Sequence, residues 1–257
     1  MSNPVLNTEY FKQYTQGTDD SEFADSPDLN NIIDESIPYS AQAMTLAGTI
    51  NKTITLLAIV VLTSLVTYHL PLPYFFFLGL GLLTVILAYL ICRDPQQTPV
   101  LAPIYAFLEG LTVGSLSGLI DRAYNANIAI DAVLCTMAVI FAMLTAYRLG
   151  IIKVTKTFRT IVCGATMGIL IYYILLLVAE LCGWYVTTLD FGPWALISNG
   201  IICGIAAFNL AVDFDDIKNG IKYHAPKFLE WYCAFGLMVT IIWIYIEILR
   251  LLAVRRR

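Results

Sequence analysis

The sequence contains few charged residues, and this scarcity excludes a whole class of protein. Charged residues make up 13% of the 257 positions, against about 25% in ordinary soluble domains. Apolar residues make up 58%, and the mean hydropathy is +0.74. A soluble fold of this size cannot hide so much apolar surface from water. The composition therefore predicts an all-α protein that crosses a membrane several times.

Histidine is equally scarce, and cysteine occurs without the spacing that chemistry requires. The two histidines, His69 and His224, are too far apart in the chain for a metalloprotease helix. The six cysteines occur singly, and no CxxC pair indicates a zinc site or a disulfide framework. We therefore expect neither an enzyme nor a resident cofactor.

The acidic residues are concentrated at the amino terminus. Residues 1–50 hold eight acids and one lysine, so this segment has a net charge of −7 and the remainder +3. Such a polar segment predicts a largely disordered tail, followed from Ser40 by a helix at the membrane interface. No basic surface indicates a nucleic-acid partner.

Long apolar runs fill residues 51–257 and predict a single transmembrane domain in contact with the lipid bilayer. A helix needs about 20 apolar residues to cross the hydrocarbon. By that measure we expect a bundle of seven helices. The predicted spans are 54–72, 74–92, 100–121, 128–149, 158–182, 193–213 and 231–253.

Lysine and arginine predict how this domain is oriented. The tail and the loops on its side hold ten of them, whereas the opposite loops hold only Arg122. Because positive loops stay in the cytoplasm, the amino terminus is expected there. Arg250 and the three terminal arginines, 255–257, do not fit seven crossings. Either these arginines are translocated or the last segment is re-entrant, and both alternatives stay open.

Three acids, Asp213, Asp215 and Asp216, come at the end of the predicted sixth span. One interpretation is a helix end in contact with water. However, acids disfavour the carboxyl end of a helix. The alternative is a carboxylate site at the membrane mouth that binds a proton or a cation such as calcium, with Asp213 as the metal ligand.

Two further acids lie inside predicted spans, where a charge costs about 2.5–3.5 kcal/mol and needs a partner or water. Glu109 lies about ten residues into the third span, and no base in its own helix can pair with it. Glu247 lies deep in the seventh span, with Arg250 three residues later on nearly the same face. That pair is either structural or part of an ion path.

Glycines recur every four residues in three of the spans. This spacing allows another helix to approach closely, which is a packing role rather than a catalytic one. The repeats are Gly110, Gly114 and Gly118, then Gly164 and Gly168, then Gly200 and Gly204.

Several segments resemble the Bax inhibitor/YccA family of membrane proteins. Residues 213–218 read Asp-Phe-Asp-Asp-Ile-Lys and resemble that family's Asp-x-x-x-Ile-Lys signature. Residues 103–110 and 230–237 are similar to the third and last spans of its bacterial branch. Residues 3–7 and 48–53 are similar as well, so the resemblance covers nearly the whole chain.

The resemblance implies a seven-helix bundle in which the other six helices enclose the last. It also implies a pH-sensitive calcium leak channel of the bacterial inner membrane, gated by two aspartates that share a proton. Asp213 matches the first aspartate, but Thr240 stands at the second position. A paired gate here would need Glu109 or Glu247 opposite Asp213.

Two functions follow as hypotheses. The first is a cation leak pathway with Asp213, Asp215 and Asp216 at its cytoplasmic gate and Glu109, Glu247 and Arg250 along it. The second is an interaction protein whose tail, residues 1–40, regulates a membrane partner; the resemblance suggests a membrane-bound AAA protease. A small-solute transporter is a weaker third hypothesis.

Overall fold

The computed structural model describes residues 43–70, 74–124, 127–183 and 193–255. Apart from one isolated bridge, these stretches contain helices and loops. The helices are α1 (Leu46–Thr67), α2 (Tyr74–Arg93), α3 (Thr98–Tyr124), α4 (Ile128–Arg148), α5 (Lys156–Leu181), α6 (Pro193–Lys222) and α7 (Leu229–Arg255). A 3₁₀ turn, Pro95–Gln97, precedes α3.

The helices confirm a multi-pass membrane protein. Six of the described helices are long and apolar enough to cross a membrane, whereas the apolar stretch found in α2, Gly79–Arg93, is shorter. The crossing of α2, and with it the count of seven, stays a prediction. The predicted acidic tail, residues 1–40, lies outside the described residues.

Two helices differ from their predicted spans by eight or nine residues at one end. α1 begins at Leu46 rather than at 54, because Thr45 caps it and accepts a hydrogen bond from Gly48 N at 3.1 Å. α6 continues nine residues beyond Asp213 to Lys222. The helix therefore carries its acids within its length, and the interpretation of a water-exposed helix end is wrong for Asp213 and Asp216, whose side chains are fully buried.

α7 is the most buried of the membrane-capable helices. It packs against α1, α3, α4 and α6. Seven consecutive residues, Tyr232–Met238, are buried. A run of that length covers every face of a helix, so protein surrounds this part of α7. Enclosure by all six other helices stays a prediction.

The glycines of α3 bring its backbone against α1, as their spacing predicts. A Cβ added at Gly110 would lie 2.7 Å from Val60 O, and one at Gly114 would lie 2.6 Å from Ser64 Cα. The prediction fails for α5, because Gly164 and Gly168 have open space where a Cβ would be. In α6, Gly204 is equally open, and a Cβ at Gly200 would make only an ordinary contact with Leu251.

Polar contacts at both ends of the bundle connect neighbouring helices. At one end, Lys52 near the beginning of α1 pairs with Glu230 at the beginning of α7. At the same end, Asp215 near the end of α6 binds Arg159 at the beginning of α5 and Tyr147 at the end of α4. We call this the amino-terminal end of the bundle. At the opposite end, Asp121 accepts hydrogen bonds from Tyr68 OH at 2.7 Å and Ala129 N at 3.0 Å. The bond to Asp121 raises the pKa of the Tyr68 hydroxyl, which lies just beyond the end of α1.

Candidate functional site: buried carboxylates at one end of the bundle

A cluster of acids lies at the amino-terminal end, where α4, α5 and α6 meet. The carboxylate cluster, as we call it, consists of Asp213, Asp215 and Asp216 of α6, Arg159 of α5 and Tyr147 of α4. Asp213 and Asp216 are both 0% exposed, and the side chain of Asp215 is 21% exposed. The positions 213 and 216 share one face of α6, because residues three apart lie on the same side of a helix.

Arg159 connects two of these acids. Its Nη2 lies 3.0 Å from Asp215 Oδ2, and its Nη1 forms an ion pair with Asp216 Oδ1. Asp215 also accepts hydrogen bonds from Tyr147 OH at 3.1 Å and from Asn219 Nδ2 at 3.0 Å. The planar fork of a guanidinium suits such a bridge. The beginning of α5 is thereby fixed to the end of α6 by charge.

A second ion pair lies beside this cluster at the same end. Glu230 of α7 is fully buried and pairs with Lys52 of α1. Its Oε1 accepts hydrogen bonds from Thr45 N at 2.8 Å and Thr45 Oγ1 at 2.9 Å. The charges of Glu230 and Lys52 balance. We therefore assign this pair the structural role of fixing the beginning of α1 to the beginning of α7.

Glu247 lies at a different depth from the carboxylate cluster. Cys233 of α7 lies within electrostatic range of Asp213 and Asp216. Glu247 is 14 residues later in the same helix, which is about 21 Å along the axis. The carboxylate cluster and Glu247 are therefore separate sites, so this structure does not place Glu247 opposite Asp213.

Glu247 has its own set of partners among the described residues. Its Oε1 accepts hydrogen bonds from Tyr173 OH at 2.7 Å and Trp243 Nε1 at 3.1 Å. Arg250 Nη1 lies 3.8 Å from Glu247 Oε2, which confirms the ion pair expected from their spacing. Arg250 also donates to the Tyr173 hydroxyl at 2.7 Å.

Glu109 is half-buried in α3, and a hydrogen bond joins its side chain to Tyr105 one turn earlier. The ring of Tyr105 packs edge-on against Phe235 of α7, with 5.0 Å between centroids. Cys233, which lies within electrostatic range of Asp213, is two residues away and therefore points to the opposite side of α7. The Tyr105–Glu109 pair and the carboxylate cluster thus lie on different sides of α7.

The structure brings the three acids of α6 together and joins Glu247 to Arg250. These two groups lie apart from each other, and Glu109 lies apart from both. Thr240, at the position of the second aspartate in the resemblance, is buried in α7. Within the described stretches, no group of three or more His, Cys, Asp or Glu side chains is arranged to hold a metal ion. The calcium site expected at Asp213 stays a prediction.

Sequence reasoning missed Arg159, Tyr147 and Tyr173. Arg159 and Asp215 are 56 positions apart, and Tyr173 and Glu247 are 74 apart. A chain without aligned relatives gives no signal for such long-range pairs. One indication was present for Arg159: it is a base close to the start of a predicted apolar span, and a charge there needs a partner.

A known protein family matches nearly the whole chain. The family described as Bax inhibitor 1 like matches residues 3–257. No curated protein and no solved structure matches the chain.

Proposed function

The chain belongs to the Bax inhibitor 1 like family, and on that premise we propose that it is a cation leak pathway. Calcium is the proposed permeant ion, and the carboxylate cluster is the proposed gate. The observation that supports the proposal is the burial of Asp213 and Asp216 beside Asp215. Ionisable groups at membrane depth are costly and typically mark ion or proton paths.

Arg159 explains how such a gate responds to pH. The cluster contains three acidic side chains and one guanidinium, which bridges Asp215 and Asp216. A proton or an incoming cation that neutralises these carboxylates takes over the role of Arg159. The ion pair then weakens, and α5 is released from the end of α6. Flux is therefore expected to rise as the pH falls.

The remaining predicted site residues are assigned to deeper parts of the pathway. Glu247, with its partner Arg250, lies about 21 Å further along α7 than the cluster. Glu109 lies on another side of α7, so in this proposal it lines a separate branch. The proposal assigns conduction rather than catalysis to these groups.

The amino-terminal end of the bundle is proposed to face the cytoplasm of a bacterial inner membrane. Lysines are concentrated there, which is the distribution expected of cytoplasmic loops. They are Lys153, Lys156, Lys218, Lys222 and Lys227. The bacterial membrane itself rests on the resemblance to the YccA branch.

The test is calcium flux into liposomes that contain the purified protein, measured at pH 6, 7 and 8. We expect flux above that of empty liposomes, and we expect Asp213→Asn to change its pH dependence. Asp131→Asn is the matched control, because Asp131 lies in the first turn of α4 at the opposite end. The control should keep the pH dependence of the unmodified protein.

Two results contradict different parts of the proposal. If Asp213→Asn has the same flux as the unmodified protein at every pH, Asp213 is not the gate. If the protein gives no flux above empty liposomes at any pH, conduction itself is excluded under these conditions. That result favours the second hypothesis, in which the predicted tail, residues 1–40, binds a membrane partner.

A further inference from the structure

α5 is the least buried of the six membrane-capable helices. Only 11% of its most apolar window is buried, against 39% for α6 and 50% for α7. Its described packing is mainly with α6. Gly164 and Gly168, which would allow close helix packing, have open space beside them. α5 is therefore not held by the close packing that joins α3 to α1.

Three polar residues of α5 instead contact the bundle at intervals of seven. They are Arg159, Thr166 and Tyr173. Residues seven apart return to nearly the same face of a helix. The first and third are separated by about 21 Å along the axis, roughly two thirds of the hydrocarbon thickness. These three residues and their partners form what we call the polar seam.

The partners on α6 repeat the same interval. Arg159 pairs with Asp216, and Thr166 Oγ1 accepts a hydrogen bond from Asn209 Nδ2 at 2.7 Å. Asn209 and Asp216 are also seven apart, and Asp213 lies between them on the same face. The polar seam therefore follows one face of α6, and the proposed gate residue Asp213 lies on that same face.

The far end of the seam changes partner from α6 to α7. Tyr173 OH donates to Glu247 Oε1 at 2.7 Å, and Arg250 Nη1 donates to the Tyr173 hydroxyl at 2.7 Å. The seam thus connects the two groups of predicted site residues that lie at different depths. Along α7 itself, Cys233 and Glu247 are 14 residues apart, which is about 21 Å.

The seam is closed in this structure. Val162 and Cys163 are buried between the first two polar contacts, and the ring of Phe158 packs edge-on against Phe208 at 5.6 Å. Apolar side chains therefore separate the polar groups. An ion can follow the seam only when α5 moves away from α6 and α7.

We propose that the cation path follows the polar seam, with α5 as the element that moves to open it. This inference rests on the proposed conduction. Each polar contact holds α5 in place and offers oxygen atoms once the helix has moved. The open space around Gly164 and Gly168 leaves α5 free to shift within the lipid.

Cysteine labelling tests the position of the path. Thr166→Cys is compared with Met167→Cys after the six native cysteines are replaced by alanine. Met167 is the next residue of the same helix, at nearly the same depth, and its side chain is 39% exposed. The probe is a membrane-impermeant trimethylammonium methanethiosulfonate, applied at the pH of highest flux.

Thr166→Cys is expected to react at least about tenfold faster than Met167→Cys, because a cationic reagent enters water-filled sites and not lipid. Its modification should also lower the calcium flux. Equal reaction of the two cysteines while flux persists overturns the seam and leaves conduction intact. Absence of flux from the unmodified protein overturns conduction, and the cation path with it.

A second comparison keeps the native cysteines. Thr166→Val removes the hydroxyl that binds Asn209 at almost unchanged size. Thr160→Val is its control, because Thr160 is exposed on α5 and its hydroxyl donates to Lys156 O in its own helix. Loss of this partly buried hydrogen bond should favour the released helix and raise flux about fivefold. Equal flux in both variants contradicts α5 as the moving element.

Discussion

Between α1 and α3, glycines bring backbone against backbone, whereas between α5 and α6 charged and amide side chains make the contact. Gly110 and Gly114 leave no room for a Cβ next to Val60 and Ser64. At the polar seam, Arg159 and Thr166 meet their partners on α6 through polar side-chain atoms. The first interface has one favourable arrangement. The second depends on charge, and its strength changes with protonation.

The largest effect is expected from removing the charge that holds α5. Arg159→Leu leaves Asp216 fully buried without its ion-pair partner, which typically costs about 3–5 kcal/mol. Lowering the pH protonates the carboxylate and removes the uncompensated charge, so the loss should shrink from pH 8 to pH 5. Thermal unfolding of the purified protein in detergent measures both values.

Arg148→Leu is the control for that experiment, because Arg148 is an exposed arginine at the end of α4. It should change the unfolding temperature little at either pH. A loss for Arg159→Leu that is equal at pH 8 and pH 5 contradicts a charge-dependent attachment of α5.

The next effect compares glycines at the two interfaces. Gly114→Ala places a Cβ against the backbone of Ser64 and should destabilise the fold by about 1–3 kcal/mol. Gly164→Ala enters open space and should stabilise α5 slightly, because alanine favours a helix over glycine by up to about 1 kcal/mol. Opposite shifts in unfolding temperature are the expected result. Shifts of the same sign would mean that the two faces do not differ.

A smaller effect compares two tyrosines that each connect α7 to a neighbour. Tyr173→Phe removes the hydrogen bond from α5 to Glu247, and Tyr245→Phe removes a 2.7 Å bond to Ser117 of α3. Each should cost about 1 kcal/mol of stability. Only Tyr173→Phe should change calcium flux, because only that bond belongs to the polar seam. A flux change in both variants would remove the distinction between the interfaces.

The smallest effect is expected from deleting residues 1–40. Conduction through the bundle does not need the tail, so calcium flux should be unchanged when the shortened protein is assayed in liposomes. Regulation by a membrane partner should be lost if the sequence-based hypothesis about the tail is right. Loss of flux on deletion would instead show that the tail contributes to the pathway.

The sequence predicted the class of fold and part of the candidate site, and the limits have physical reasons. Local spacing predicted the Glu247–Arg250 pair and the close approach at Gly114, because both depend on helical periodicity. Hydropathy ended the sixth span at Asp213 because it treats every acid as exposed. α6 continues to Lys222 since its acids find partners on other helices.

The arrangement of the polar seam could not be predicted from the sequence, for similar reasons. The contact between Thr166 and Asn209 depends on how α5 and α6 are aligned along their axes. Neither residue is charged, and both suit a helix in contact with other helices. The glycines at 164 and 168 have the same spacing as those of α3 but face open space. Spacing alone does not say which face of a helix has a neighbour.

The attachment of the chain just before α1 has a mechanical consequence. Met44 N donates to Ala225 O at 2.7 Å, and Thr45 is bound by Glu230 at the start of α7. A pull on the residues that precede Ala43 is therefore transmitted to the most buried helix rather than to the bundle's periphery. A partner protein that pulls on the tail would apply force to α7 first. It would have to break the Thr45–Glu230 hydrogen bonds before α1 could unwind.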